Sequence, residues 1–204
     1  MTSSHYFVTG TDTDVGKTVA CAWLVRHLNA DYWKPVQAGE DDGTDTERLQ
    51  QWADWPASRC LPNRFTLKSP RSPHEAAKRD GVKICLDDFH SPSQDCPCII
   101  EGAGGVLVPL NDEDLMIDLA KKLGAPVILV ARTALGTINH TLLSLMALRE
   151  RQLRVRGVIL SGPADRENRR AIEHYGKVEI LAHIPVLESL NAQKLDHVKA
   201  EVLL

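Results

Sequence analysis

The residues best suited to chemistry lie in Gly10-Thr-Asp-Thr-Asp-Val-Gly16-Lys17-Thr18, between the strand-like run Tyr6–Thr9 and an apolar-periodic stretch that opens at Lys17. A glycine loop that joins a strand to a helix turns backbone N–H groups and the positive helix end towards an oligophosphate. Lys17 adds a mobile point charge, and Thr18 offers a hydroxyl to Mg²⁺. Five residues rather than four separate Gly10 from Gly16, so Thr11 takes the first glycine position of the usual phosphate-loop pattern. Asp12 and Asp14 set two carboxylates beside this anion site. They repel a nucleotide unless they face a cation such as Mg²⁺ or an amine.

Two further carboxylates fit a metal-bound nucleotide. Glu101 opens Glu101-Gly-Ala-Gly-Gly105 directly after the buried strand Cys98–Ile100. A carboxylate at a strand's carboxyl end is well placed for such a ligand, and glycines permit close backbone approach. Asp45 follows Gly43-Thr44 at a helix start, where an N-cap and a metal ligand are equally good readings. On residue type alone, Lys34 reads as a solvated charge. His74 and His140 read as residues that orient a loop or helix rather than carry protons.

The elements that must position these groups alternate between short apolar runs and helical spacing. Strand candidates are Tyr6–Thr9, Tyr32–Trp33, Cys98–Ile100, Val127–Ala131, Val155–Leu160 and Val178–Ala182; helix candidates are Lys17–Leu28, Asp112–Leu123, Ile138–Glu150 and Ala164–His174. This alternation predicts an α/β fold: a single phosphate-loop-type domain over 1–204, its mostly parallel sheet flanked by helices. The Pro-, Arg- and Ser-rich stretch 54–95 reads as an irregular insertion with one short helix near His74–Arg79.

Composition narrows the function. The 204 residues are 43% hydrophobic and carry a formal charge of −3, which gives neither a nucleic-acid footprint nor a polybasic membrane patch. The longest apolar run, Pro126–Ala131, is far short of the ~18 residues of a membrane span. Five cysteines, an odd number, suggest reduced thiols and a cytoplasmic protein. A zinc module from Cys85, His90, Cys96 and Cys98 is disfavoured, because Cys96 and Cys98 have only one residue between them.

Taken in order, Gly10–Thr18, Lys34-Pro-Val-Gln-Ala-Gly39, Ser72-Pro-His74, Glu101–Gly105 and Gly136-Thr-Ile-Asn-His140 resemble the dethiobiotin synthetase family of the phosphate-loop NTPases, over Tyr6 to about Leu187. The resemblance implies ATP-dependent carboxylation and ring closure of 7,8-diaminopelargonic acid with CO₂, through a carbamate and a carbamic–phosphoric anhydride. It implies Mg²⁺ held by Thr18, Asp45 and Glu101, and Lys34 and Lys17 as catalytic cations. Nucleotide contacts carried over are Asp14, Val15, Gly16, Lys17, Thr18, Val19, Asp45, Glu101, Gly102, Ala103, Gly104, Ser161, Pro185, Val186 and Leu187. Substrate contacts are Thr13, Lys34, Ala38, Leu135, Gly136 and Asn139. Backbone N–H groups of 135–139 would hold the substrate carboxylate from a second subunit, so a homodimer is implied, with no nucleic acid or membrane partner.

The chain departs from the family pattern at several points. Ala38 stands where many members have Ser or Thr, Ser161 where an Asn commonly reads the adenine edge, and His183 where a glycine commonly precedes the Ile-Pro pair. Ser161 offers one hydroxyl against an amide's donor and acceptor, which predicts weaker base discrimination. The main alternative is a dimerising partitioning or site-selection ATPase. Such proteins carry an early loop lysine at the position of Asp12, which has the opposite sign. The tail Leu195–Leu204 could form a modest amphipathic helix but lacks the basic face of a membrane anchor. An amide-forming synthetase of the cobyrinic-acid type would normally need a further glutaminase domain.

Overall fold

The computed structural model describes residues 5–40, 43–93 and 95–202. The strands are β1 (Tyr6–Gly10), β2 (Asp31–Trp33), β3 (Val36–Ala38), β4 (Cys60–Leu61), β5 (Phe65–Leu67), β6 (Cys98–Gly105), β7 (Val127–Arg132), β8 (Val155–Ser161) and β9 (Ile180–Ile184). The helices are α1 (Lys17–Leu28), α2 (Asp45–Ala53), α3 (Pro73–Asp80), α4 (Met116–Leu123), α5 (Thr137–Glu150), α6 (Arg166–Gly176) and α7 (Ala192–Asp196).

Seven strands form one parallel sheet in the order β4-β2-β6-β1-β7-β8-β9, and β3 and β5 form a separate parallel pair. Both faces of the large sheet are covered, so its central strands read as continuous apolar runs, as in the wholly buried Val127–Ala131. The two-residue period of each strand sorts alternate side chains to opposite faces. Phe7, Ile100 and Leu129 join one core with α4. Val8, Ile99 and Ile128 join the other with Trp23 and Leu24 of α1. Burying a side chain of Leu size contributes about 1.5–3 kcal/mol, and this face anchors the helix that carries Lys17 and Thr18.

From β1 the chain crosses to β2 on one side, whereas from β6 it crosses to β7 on the other. The crevice at the carboxyl ends of these strands lies at that switch point, where ligands of open parallel sheets bind.

Some boundaries differ from the sequence reading. The predicted helix over 112–123 starts only at Met116, because Asn111 Oδ1 accepts the N–H groups of Glu113 and Asp114 at 2.8 and 2.6 Å. That turn competes with the helix. The sixth helix begins two residues late, at Arg166, capped by Asp165, whose side chain accepts from the Asn168 N–H. The last strand starts at Ile180 rather than Val178, since Lys177 closes α6 in the left-handed region at φ 45°. Within 54–95 the sequence reading missed β4 and β5. The first extends the large sheet beside β2, and the second pairs with β3.

The tail differs too. Only Ala192–Asp196 is helical; Ala200 then bridges to Ala182, and residues 203 and 204 of the expected helix lie outside the described residues. This segment is bound to α1, with the Trp23 Nε1–H donating to the Val198 carbonyl at 3.0 Å and Arg26 paired with Asp196. No helix of the described residues is long and apolar enough to cross a membrane.

Candidate active site

The crevice holds a cavity of about 690 Å³. Its floor follows from strand register: Trp33 of β2 pairs with Ile100 of β6, so Lys34 and Glu101, one step further on, are neighbours. Val8 of β1 pairs with Glu101, which brings the phosphate loop to the other flank of the same carboxylate.

The loop turns into α1 at Gly16, whose φ is 94°. A side chain there is excluded twice, by the left-handed backbone and by a Cβ position 2.5 Å from Ser161 Oγ. Lys17, 7% exposed, donates to the Asp12 carbonyl at 3.0 Å. Thr18 Oγ1 donates to Glu101 Oε1 at 2.9 Å.

Lys34 is 3% exposed and Glu101 1%, so the solvated-charge reading of Lys34 is corrected. The Lys34 ammonium lies 2.7 Å from Asp45 Oδ2 and 3.0 Å from Glu101 Oε1, and donates to the Gly102 carbonyl at 3.2 Å. Burial alone would lower its pKa, but the carboxylates of Glu101 and Asp45 hold it above the ordinary lysine value. Burial opposes ionisation of Asp45, yet Lys34, with help from Arg48 and Thr18, keeps its carboxyl below the usual range. Lys17 behaves oppositely: burial, aided by repulsion from Lys34, pulls its pKa down.

Asp45 is not the cap of α2. Thr44 caps it in a reciprocal box with Glu47, and the Asp45 N–H donates to Gln37 Oε1 at 3.1 Å. The Asp45 side chain is thereby free to face Lys34. Thr18, Asp45 and Glu101 all line the cavity and offer it hard oxygen donors. Among the described residues no three His, Cys, Asp or Glu side chains form a metal cage, and Cys85, His90, Cys96 and Cys98 are not gathered into one. Two carboxylates and a hydroxyl suit Mg²⁺, which usually completes its shell with phosphate oxygens and water.

Of the residues singled out in the sequence, Thr13, Asp14, Gly16, Lys17, Thr18, Val19, Lys34, Ala38, Asp45, Glu101, Ala103 and Gly104 line the cavity. Val15 is buried behind the loop, and Gly102 packs against the Phe7 ring. Ser161 ends β8 against Gly16, and Pro185-Val-Leu187 leaves β9 beside it, in register with Ser161↔Ile184. Leu135, Gly136 and Asn139 lie outside the cavity on the exposed entry to α5, with Leu135 fully exposed.

Sequence reasoning missed several wall residues. Arg48 and Trp52 line the cavity with Asp45 at positions i+3 and i+7 of α2, a helical spacing that could have revealed them. Gln37 holds the turn, its amide donating to the Gly39 carbonyl at 2.9 Å. Arg71 is reached through the loop before α3, which had no readable periodicity. Tyr32 had been read only as strand, yet its O–H donates to Glu101 Oε2 at 2.9 Å.

A family profile described as "AAA domain" matches residues 4–194. The chain is 50% identical over 186 residues to the ATP-dependent dethiobiotin synthetase BioD of Paramagnetospirillum magneticum, covering 91% of this chain and 90% of that protein. It is 48% identical over 195 residues to the protein of the same name from Brucella ovis, with 96% and 92% covered. Among solved structures, a ParA family ATPase from Chlorobium tepidum superposes with a TM-score of 0.55 at 12% identity, over 95% of this chain and 96% of that one. A chain of the MinC:MinD cell division protein complex from Aquifex aeolicus gives 0.52 at 12% identity, over 95% of this chain and 85% of that one. These two likenesses are of fold alone. Matched over nearly its whole length at about half identity, the chain belongs to the ATP-dependent dethiobiotin synthetase family, within the AAA-domain NTPases.

Proposed function

We propose that this protein is an ATP-dependent cyclo-ligase that converts 7,8-diaminopelargonic acid and CO₂ to dethiobiotin, with ADP and phosphate as the other products. The observation that carries the reading is the buried Lys34 ammonium held between Asp45 and Glu101 on the floor of a cavity that Lys17 and Thr18 also line. Family membership supplies the substrate class.

One amine of the substrate attacks CO₂ and loses a proton, giving a carbamate. A carbamate oxygen then attacks the γ-phosphorus of ATP, and ADP leaves. The second amine attacks the carbamoyl carbon of the mixed anhydride, expels phosphate and closes the ring. A carbamate oxygen is a weak nucleophile facing a densely negative phosphate, so positioning and charge neutralisation lower the barrier. Lys17 serves the phosphates, and Lys34 the carbamate and the transferring phosphoryl group. Thr18, Asp45 and Glu101 would hold Mg²⁺, which supplies further neutralisation of the phosphate oxygens when bound.

The turn 135–139 is read as serving a second copy. It contributes nothing to the cavity of its own chain, and Leu135, Leu143 and Met146 leave apolar surface exposed around it. Backbone N–H groups at the start of α5 suit the substrate carboxylate, so the homodimer places that end of the substrate on the partner. Ser161 and Pro185–Leu187 are assigned to the base, with Ser161 giving looser discrimination. Five free thiols fit a reducing compartment, and the cytoplasm is proposed as the location.

The test is incubation with diaminopelargonate, bicarbonate, Mg²⁺ and ATP, with mass detection of the cyclic urea. ATP consumption without that product would overturn the assignment.

A further inference from the structure

Glu101 is held from two sides. On the cavity side, Thr18 Oγ1 at 2.9 Å and Lys34 Nζ at 3.0 Å both address Oε1. From behind, the Tyr32 O–H donates to Oε2 at 2.9 Å, and the buried Cys21 thiol lies close enough for the carboxylate to raise its pKa further. Tyr32 and Cys21 are wholly buried and neither lines the cavity, whereas Glu101 does. A carboxylate 1% exposed cannot turn to water, so the oxygen not used by the cavity needs a donor inside the core. Packing alone does not call for the Tyr32 hydroxyl, because Phe would fill the same space without a polar group to satisfy.

We propose that Tyr32 is a positioning residue: its hydroxyl locks the plane of the Glu101 carboxylate, so that Oε1 alone is presented to Thr18 and to the metal–nucleotide. The inference rests on the reading of Glu101 as a metal ligand. Mg²⁺ demands near-octahedral geometry and tolerates little freedom in its ligands. Partners that orient a ligand from behind carry a measurable share of metal affinity.

The test is calorimetric titration of the non-hydrolysable ATP analogue AMP-PNP into the wild-type protein and Tyr32→Phe, with Mg²⁺ and with EDTA. In Tyr32→Phe the Mg²⁺-dependent gain in affinity falls by about 10–100-fold, while affinity in EDTA stays the same. Cys21→Ser, a buried change near Glu101 that leaves the Tyr32 hydroxyl in place, behaves like wild type. A Tyr32→Phe protein that melts lower but keeps the full Mg²⁺-dependent gain overturns the inference alone, since Tyr32 would then only pack. A wild-type protein with no Mg²⁺-dependent gain removes the metal-ligand reading as well. If Tyr32→Phe does not fold, Tyr32→Leu, which also lacks the hydroxyl, carries the same comparison, with loss of the gain expected and an unchanged gain overturning the proposal.

Discussion

Lys17 and Lys34 enter the same cavity from different parts of the sheet, one from the loop after β1 and the other from the residue after β2. Both are buried. Lys17 has a backbone carbonyl as its hydrogen-bond partner and Lys34 as a positive neighbour, and its pKa is pulled down. Lys34 has two carboxylates within 3.0 Å, and its pKa is pushed up. Burial lowers both; at Lys34 the carboxylates of Glu101 and Asp45 outweigh it, whereas at Lys17 they do not and Lys34 adds repulsion. Lys17 is an under-neutralised cation suited to a polyanionic ligand, whereas Lys34 belongs to a charge cluster completed within the chain.

The strongest way to break this contrast is to remove each charge while keeping the stem. Lys34→Met leaves two carboxylates without their cation, and breaking a buried pair this way costs about 3–5 kcal/mol. Its melting temperature should fall by roughly 10 °C, with turnover down about a thousandfold or more and nucleotide binding much less affected. Added Mg²⁺ should recover more of the melting temperature in this variant than in wild type. Equal loss of turnover and binding would show that Lys34 has been misplaced.

Lys17→Met should move the two properties in opposite directions. Nucleotide affinity falls by about a hundredfold, yet the nucleotide-free protein melts a few degrees higher, because an under-neutralised buried charge has gone. A lower melting temperature would contradict the contrast.

Stability against pH sharpens it further. Lys34 has a raised native pKa, so its stabilisation is complete below the unfolded value of 10.5 and is lost as pH rises through the native value. Asp45 has a depressed one, so its share is complete above 3.8 and is lost as pH falls through the native value. Lys17 has a lowered native pKa: its penalty is full at low pH, shrinks as pH rises through that value, and is gone above 10.5. The stability difference between wild type and Lys34→Met should therefore shrink as acid protonates Asp45 and again as alkali deprotonates Lys34, as denaturant melts at each pH would show.

Smaller effects follow from the rim. Asp45→Asn should raise half-saturating Mg²⁺ by about tenfold, with activity partly restored at high Mg²⁺. Ser161→Asn should raise the preference for ATP over GTP by about three- to tenfold, the worth of one added hydrogen bond. A strict ATP preference already present in wild type that depends on Ser161 would remove the basis for that last expectation.

The phosphate loop and the order of the main elements were legible because their signals are local: a glycine run between a two-residue and a 3.6-residue period. Glu101 was legible as the carboxylate that follows the apolar run Cys98–Ile100, although β6 continues past it to Gly105. Lys34 was not, since its meaning depends on β2 pairing with β6, 67 positions along the chain, in the register Trp33↔Ile100. Tyr32 shares that dependence, and Cys21 meets Glu101 only through tertiary packing. Strands β4 and β5 escaped notice because two or three residues hold too little periodicity to read. The Asp112–Leu115 turn was misread because Asn111 outbids a helical pattern that is real from Met116 onward.

The binding of Asp196 and Val198 to α1 has a consequence for biosynthesis. Trp23 finds its carbonyl partner 175 positions later, and Arg26 its carboxylate 170 positions later. On the ribosome, the helix that bears Lys17 therefore emerges long before its outer flank can be covered. A translating chain halted near residue 190 would display that flank to chaperones and proteases, with the ATP cleft assembled on an unfinished support.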